Sequence, residues 1–320
     1  MSSILASQQG EERLSGRDPA NRGLSTKAVS KLANFERFTP WAMILPATLF
    51  TLAMIGFPLL YAVYLAAHNF TLGSPTPPVF VGFGNLARAA ADPVFWIAVR
   101  VTLTIFVMAL ALELVLGTYL GLLLSRQLRG VGLFRVLSFF PSVIPSVAVG
   151  MIWVQLFDPT QGFLDYLLST LGIPPQPWLS SPQTVVPSLA LVDVWEWTPF
   201  IALIVVGGMQ ALPSEPFEAA RIDGASNLQV LRFITLPMLR STIIVAAMLR
   251  TVDLMRIFDT IYITTQGGPV NASMSLNVYA FTQGFLFSNI GYASALMLIL
   301  LLLVALVSWG LGVVRRGYSL

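Results

Sequence analysis

The sequence predicts an all-α polytopic membrane protein with six transmembrane helices, and three observations carry that prediction. Apolar residues make up 56% of the 320 positions and charged residues 10%, with a mean hydropathy of +0.77, whereas an ordinary soluble domain carries about 25% charged side chains. Apolar runs of the roughly 20 residues that a hydrocarbon core of about 30 Å demands recur along the chain. Alternating segments of about ten residues, the signature of a membrane barrel, are absent. Backbone amides inside a bilayer find no water, so such runs must close their hydrogen bonds internally as helices.

Taken in order, residues 1–37 are polar and rich in Ser, Gly, Arg and Lys. They lack the short apolar core and small-residue cleavage site of a secretory signal, and read as a flexible cytoplasmic tail. The remainder, 38–316, forms the transmembrane domain, with spans expected at 40–67, 96–125, 134–157, 185–211, 238–264 and 291–314. Pro46, Pro58, Pro141 and Pro145 should bend or interrupt helices where neighbours satisfy the freed carbonyls.

Orientation follows from the cations. Arg13, Arg17, Arg22, Lys27, Lys31 and Arg37 precede the first span; Arg126, Arg129 and Arg135 follow the second; Arg221, Arg232 and Arg240 follow the fourth; Arg315 and Arg316 end the last. The opposite loops hold only Arg88 and Arg100. This asymmetry places both termini inside, N-in and C-in. The net charge of +3 is then a matter of topology and implies no nucleic-acid partner.

Several chemistries are excluded. There is no cysteine and a single histidine, His68, so thiolate catalysis, disulfides and the usual zinc sites are out of reach, and no metal ligand set is expected. No G-x-x-x-x-G-K-[ST] phosphate loop occurs, so the chain binds no ATP by that route. No catalytic residue and no cofactor are assigned.

Residues 212–237 form a polar loop between the fourth and fifth runs. Ser214 stands where it can cap a short helix, Glu215 and Glu218 complement its positive end, and Gly224 can take the left-handed conformation that ends it. A second helix should start at Ser226 or Asn227 and lead into Pro237. The Glu218-Ala219-Ala220 stretch, Gly224 beyond it and Ile234-Thr235-Leu236-Pro237 resemble the cytoplasmic EAA loop of permease subunits in binding-protein-dependent ABC importers. Phe80 to Asn85, Asp92 to Trp96 and Thr265 to Pro269 are similar to the corresponding loops of carbohydrate-uptake permeases, the maltose and glycerol-phosphate group.

The resemblance implies a non-catalytic permease subunit in a bacterial plasma (inner) membrane. It would carry a sugar or sugar derivative. Its implied partners are membrane lipid, a second homologous permease, an external solute-binding protein and an ATPase dimer that uses ATP and Mg. The coupling loop would work through Glu218, Ala219, Ala220, Asp223, Gly224, Ile234, Leu236 and Pro237. Importers of polyols, glycerol phosphate or glycerophosphodiesters, and a secondary transporter, are the alternatives.

Charged groups inside spans are costly unless they face water or protein, so they mark a candidate path. In the fourth run Asp193, Glu196, Trp197 and Phe200 share one helical face. Rings that stack on C–H faces beside carboxylates that accept hydroxyl hydrogen bonds suit a sugar. In the fifth run Arg250, Asp253, Arg256 and Asp259 alternate in sign, a ladder that i, i+3 pairs can neutralise. The resemblance places Asp253 and Arg256, with Glu196, Trp197 and Phe200, on the substrate pathway. Arg250 and Asp259 are balanced between structure and substrate. Glu113, with no partner evident in sequence, is expected to hydrogen-bond between helices.

Overall fold

The computed structural model describes residues 26–126 and 130–317, with side chains from Met43 onward. Most of the expected tail, with Arg13, Arg17 and Arg22, lies outside the described residues, as does Arg129. The chain divides into two compact units, 1–60 and 61–320. Helix α1 (Thr26–Ala66) starts well before the apolar run and passes Pro46 and Pro58 without interruption. Its apolar side chains in the first unit, including Met43 and Phe50, are exposed.

In the second unit a short antiparallel pair, β1 (His68–Asn69) with β2 (Val79–Phe80), sets His68 opposite Phe80. The buried Asn85 of α2 (Gly84–Ala91) donates to the carbonyls of Ala66 and His68, at 2.8 and 2.9 Å. Asp92 then caps α3 (Pro93–Leu124): its Oδ1 accepts from the Val94 amide at 2.9 Å, and Pro93 fills the first turn, where its missing N–H costs nothing.

The third run is broken, as its prolines lead one to expect, and the break is sharp. Helix α4 (Val131–Phe139) and a tight turn, Phe140–Val143, meet α5 (Ser146–Leu156) at 94°. Ile144 is extended because Pro145 disfavours the helical region for the residue before it. Helix α6 (Phe163–Thr170) leads to α7 (Val185–Gln210). Gly117 and Gly121 of α3 let the two long helices meet closely: a Cβ at either would lie 2.7 Å from Ile201 or Val205. Lipid supplies little hydrophobic drive between helices, so close packing at small residues must hold them.

The loop after α7 holds α8 (Glu215–Ile222) and α9 (Asn227–Val230). A wide turn, Leu231–Thr235, joins α9 to α10 (Leu236–Leu254). The fifth span therefore stops short of residue 264. After it, α11 (Asp259–Thr264) begins a separate turn. Side chains preceding or within α12 (Leu276–Phe281) satisfy the carbonyls freed by this break: Ser275 Oγ donates to Ile257 O at 3.1 Å, and Asn277 Nδ2 to Arg256 O at 2.7 Å. A further wide turn precedes α13 (Ile290–Arg316). Among the described residues five helices are long and apolar enough to cross a membrane, or six with the bent pair taken as one span.

The main core joins α3, α7, α11, α12 and α13 through Ile105, Leu189, Ile261, Leu276 and Leu296. A polar clamp ties the start of α3 to α12 and α13. The hydroxyls of Tyr279 and Tyr292 both donate to Asp92 Oδ2, the latter at 2.7 Å, and the Arg88 guanidinium lies 4.2 Å from the Tyr292 ring centre. Burial pushes the Asp92 carboxyl up, but the bonds from Tyr279, Tyr292 and backbone amides outweigh it and hold the group below the usual aspartate range. Burial first, then its bond to Asp92, pushes Tyr279 up to about 12.

Candidate functional site

The bends around Ser146 and Met255 open a cleft of about 450 Å³ between α5, α7, α10, α11 and α12. Trp197, Asp253, Arg256, Asp193 and Asp259 line it. Three of the residues placed on the pathway from sequence therefore share one cavity. Glu196 and Phe200 lie beside it. On a 3.6-residue helix the i+3 position is rotated about 60° from i, which swings Glu196 away from Asp193 toward the broken helix. There its Oε1 accepts from Ser146 Oγ at 2.7 Å, and its backbone carbonyl accepts from Ser142 Oγ at 2.6 Å. Phe200, one turn beyond Trp197, meets that ring edge-on at 5.9 Å.

Arg250 forms a cross-helix cluster that the ladder reading did not anticipate. Its Nε and Nη2 donate to both oxygens of Glu113, at 2.8 and 3.0 Å, and Nη2 also donates to Asp193 at 2.7 Å. Its guanidinium lies 4.7 Å from the centre of the Trp197 ring, a cation–π arrangement that fixes the ring at the cavity wall. Arg250 is 1% exposed. The along-helix neighbour Asp253 is the more distant partner at 3.8 Å. Glu113 is thus the inter-helix partner expected, and Asp193 the acceptor missed. A bilayer charge needs a counter-charge, so a lone glutamate in one span and a surplus arginine in another are the signal that pairs them.

Arg256 stands differently. Its Nη2 lies 3.5 Å from Asp253, its Nε donates to the Val252 carbonyl four residues earlier at 3.1 Å, and its side chain is 57% exposed. Asp253 is 47% exposed. Asp259 is exposed to the cavity and has no ion pair among the described residues.

The second candidate element is the loop carrying Glu218. Helix α8 is ended by Gly224 at φ 72°, with Ala225 N donating to Ala220 O at 2.9 Å, the closure that a left-handed residue permits. The side chain of Ser214 makes no capping bond; only its carbonyl accepts, from Phe217 and Glu218. Pro216 in the first turn already removes one donor such a cap would serve. Ser226 does cap, in a reciprocal box with Gln229. Ala220 is 8% exposed and packs inward, while Glu218, Ala219, Ile222, Asp223 and Gly224 are exposed. Ile234, Leu236 and Pro237 sit in the wide turn and the start of α10. There Leu236 N bonds back to Leu231 O, an i to i−5 spacing that relieves the crowding Pro237 would cause in a regular helix.

Residues 113–319 match the family of binding-protein-dependent transport system inner membrane components. A probable ABC transporter permease protein, y4oQ, of Sinorhizobium fredii is 39% identical over 82% of this chain and 85% of its own length. The trehalose/maltose transport system permease protein MalF of Thermococcus litoralis is 34% identical over 88% and 95%. A crystal structure of a bacterial ABC transporter involved in the import of the acidic polysaccharide alginate has the same fold, at TM-score 0.77 and 19% identity over 91% of this chain and 100% of that one. With the family matched over most of its length and relatives this close, the chain belongs to the inner membrane components of binding-protein-dependent transport systems.

Proposed function

We propose that this chain is the permease subunit of an ATP-driven importer and forms half of a translocation path for a sugar. The observation that carries the sugar is the 34% identity, across nearly the whole chain, to a trehalose/maltose permease. The cavity agrees in kind: an indole ring beside carboxylates offers a stacking face and hydroxyl acceptors.

The remaining parts of the reading follow from it. Residues 38–316 are the transmembrane domain, both termini are cytoplasmic, and residues 212–237 are the coupling loop. The exposed Glu218, Ala219, Asp223 and Gly224 meet an ATPase subunit, while Ala220, Ile234, Leu236 and Pro237 join the elbow to the fifth span. Because α9 continues through the wide turn into α10, a push on the elbow reaches the charged end of α10 at the cavity. Two ATPase subunits use the ATP and Mg, this chain holds no cofactor, and a second homologous permease, surrounding lipid and an external binding protein complete the assembly.

The test is substrate-stimulated ATP hydrolysis by the assembled importer. Glu218→Lys or Gly224→Phe should leave membrane insertion intact and abolish stimulation. Undiminished stimulation would remove the docking role from this loop.

A further inference from the structure

We propose that the cavity admits uncharged sugars and rejects anionic ones, with Asp259 as the residue that sets this preference. The inference rests on the sugar-importer reading and narrows it. The two arginines that line the cavity, Arg250 and Arg256, invite the opposite conclusion, a site for a phosphate or a uronate. Their geometry removes that invitation.

Arg250 spends Nε and Nη2 on Glu113 and Asp193, turns Nη1 toward Asp253 and lays its flat face on Trp197. Arg256 lies 3.5 Å from Asp253 and donates to the Val252 carbonyl. At Arg250 an incoming anion would have to displace carboxylates already in place, the bidentate pair to Glu113 being among the strong contacts a guanidinium makes; at the exposed Arg256 it would meet Asp253 3.5 Å away. Among the groups lining the cavity, Asp193, Asp253 and Asp259 face Arg250 and Arg256, three carboxylates against two guanidiniums. Glu113 behind Arg250 adds to the same side. The uncompensated charge is Asp259, exposed to the cavity and without an ion pair among the described residues. A carboxylate is an acceptor only. Sugar hydroxyls donate to it, whereas a second anion brought alongside is repelled, the more strongly as water leaves the site.

This preference separates the chain from the alginate importer of the same fold, whose cargo is described as acidic. At 19% identity the two folds agree while their cavity charges are free to differ.

The experiment is equilibrium binding to the purified importer complex in nanodiscs, with ATP and binding protein left out so that the cavity alone discriminates. The probes are trehalose, maltose, a glucuronic-acid-containing disaccharide and its methyl ester, the last two differing in charge and little in size. The ester should bind at least about tenfold more tightly than the acid, and added salt should narrow the gap. Asp259→Asn should shrink the ratio to within roughly threefold, while Asp259→Glu, which keeps the charge, should preserve it and so report on folding. An acid that binds as tightly as its ester, or a ratio that ignores Asp259→Asn, overturns the proposal. If no sugar binds, neutral or acidic, the sugar reading falls and this inference falls with it.

Discussion

Arg250 and Arg256 lie close together on the same segment, yet one is sealed among carboxylates from two other helices and the other leans into the cavity with a single loose partner. The difference teaches that an arginine near a membrane span has no role until its neighbours are known. Where it is buried, desolvation makes each missing partner expensive, so the cluster binds α3, α7 and α10 together. Where water reaches it, the same ion pair is worth about 0–1 kcal/mol and the group stays exposed at the cavity.

Removing the sealed arginine is the most damaging way to probe this contrast. Arg250→Met should cost about 3–5 kcal/mol by leaving Glu113 and Asp193 buried and unpaired, seen as lost assembly or a lower melting temperature of the purified complex. Adding Glu113→Gln and Asp193→Asn to that variant should recover part of the loss; no recovery would break the assignment of the cluster as one unit.

Next comes the packing that presents Glu113 and Asp193 to it. Gly117→Leu would drive a side chain against Ile201 and the Thr198 carbonyl, an overpacking cost of about 1–3 kcal/mol. It should lower the melting temperature even with every charge intact.

The clamp at Asp92 is an intermediate case, with a charge half-covered and held by hydroxyls. Tyr279→Phe should cost about 0.5–1.5 kcal/mol and bring the Asp92 carboxyl back toward its usual range. Because the folded value is depressed, Asp92 contributes stability above the ordinary aspartate pKa and loses it as pH falls through the depressed one. Tyr279 runs the other way: its contribution is whole below about 10 and fades as pH rises through about 12. Acid melts of wild type and Tyr279→Phe that superimpose would remove the clamp.

The smallest effect on stability belongs to the loose arginine. Arg256→Ala should shift it by less than about 1 kcal/mol while impairing uptake. A large loss of stability with normal uptake would show that the two arginines are alike after all.

The elements legible in advance are those written in local chemistry. Gly224 ends α8 and Ser226 opens α9 because a missing Cβ and a short hydroxyl act within one turn. Pro145 breaks the third span for a similar reason. The stop at Leu254 was not legible, since no glycine or proline marks it; Ser275 and Asn277, far along the chain, supply the donors that let the backbone leave the helix. Of the five residues assigned to a pathway from sequence, Trp197, Asp253 and Arg256 line one cavity, while the side to which Glu196 turns depended on where the bent pair packs.

Composition, run length and spacing by themselves determined a helical membrane protein, its apolar segments and the elbow before the fifth, because burial of backbone in lipid and closure of short turns are decided by near neighbours. Only the tertiary structure decided which charges are spent on one another and which line the cavity. A buried charge is stabilised by whatever lies within a few ångströms in space, and Glu113, Asp193 and Arg250 come from three separate helices.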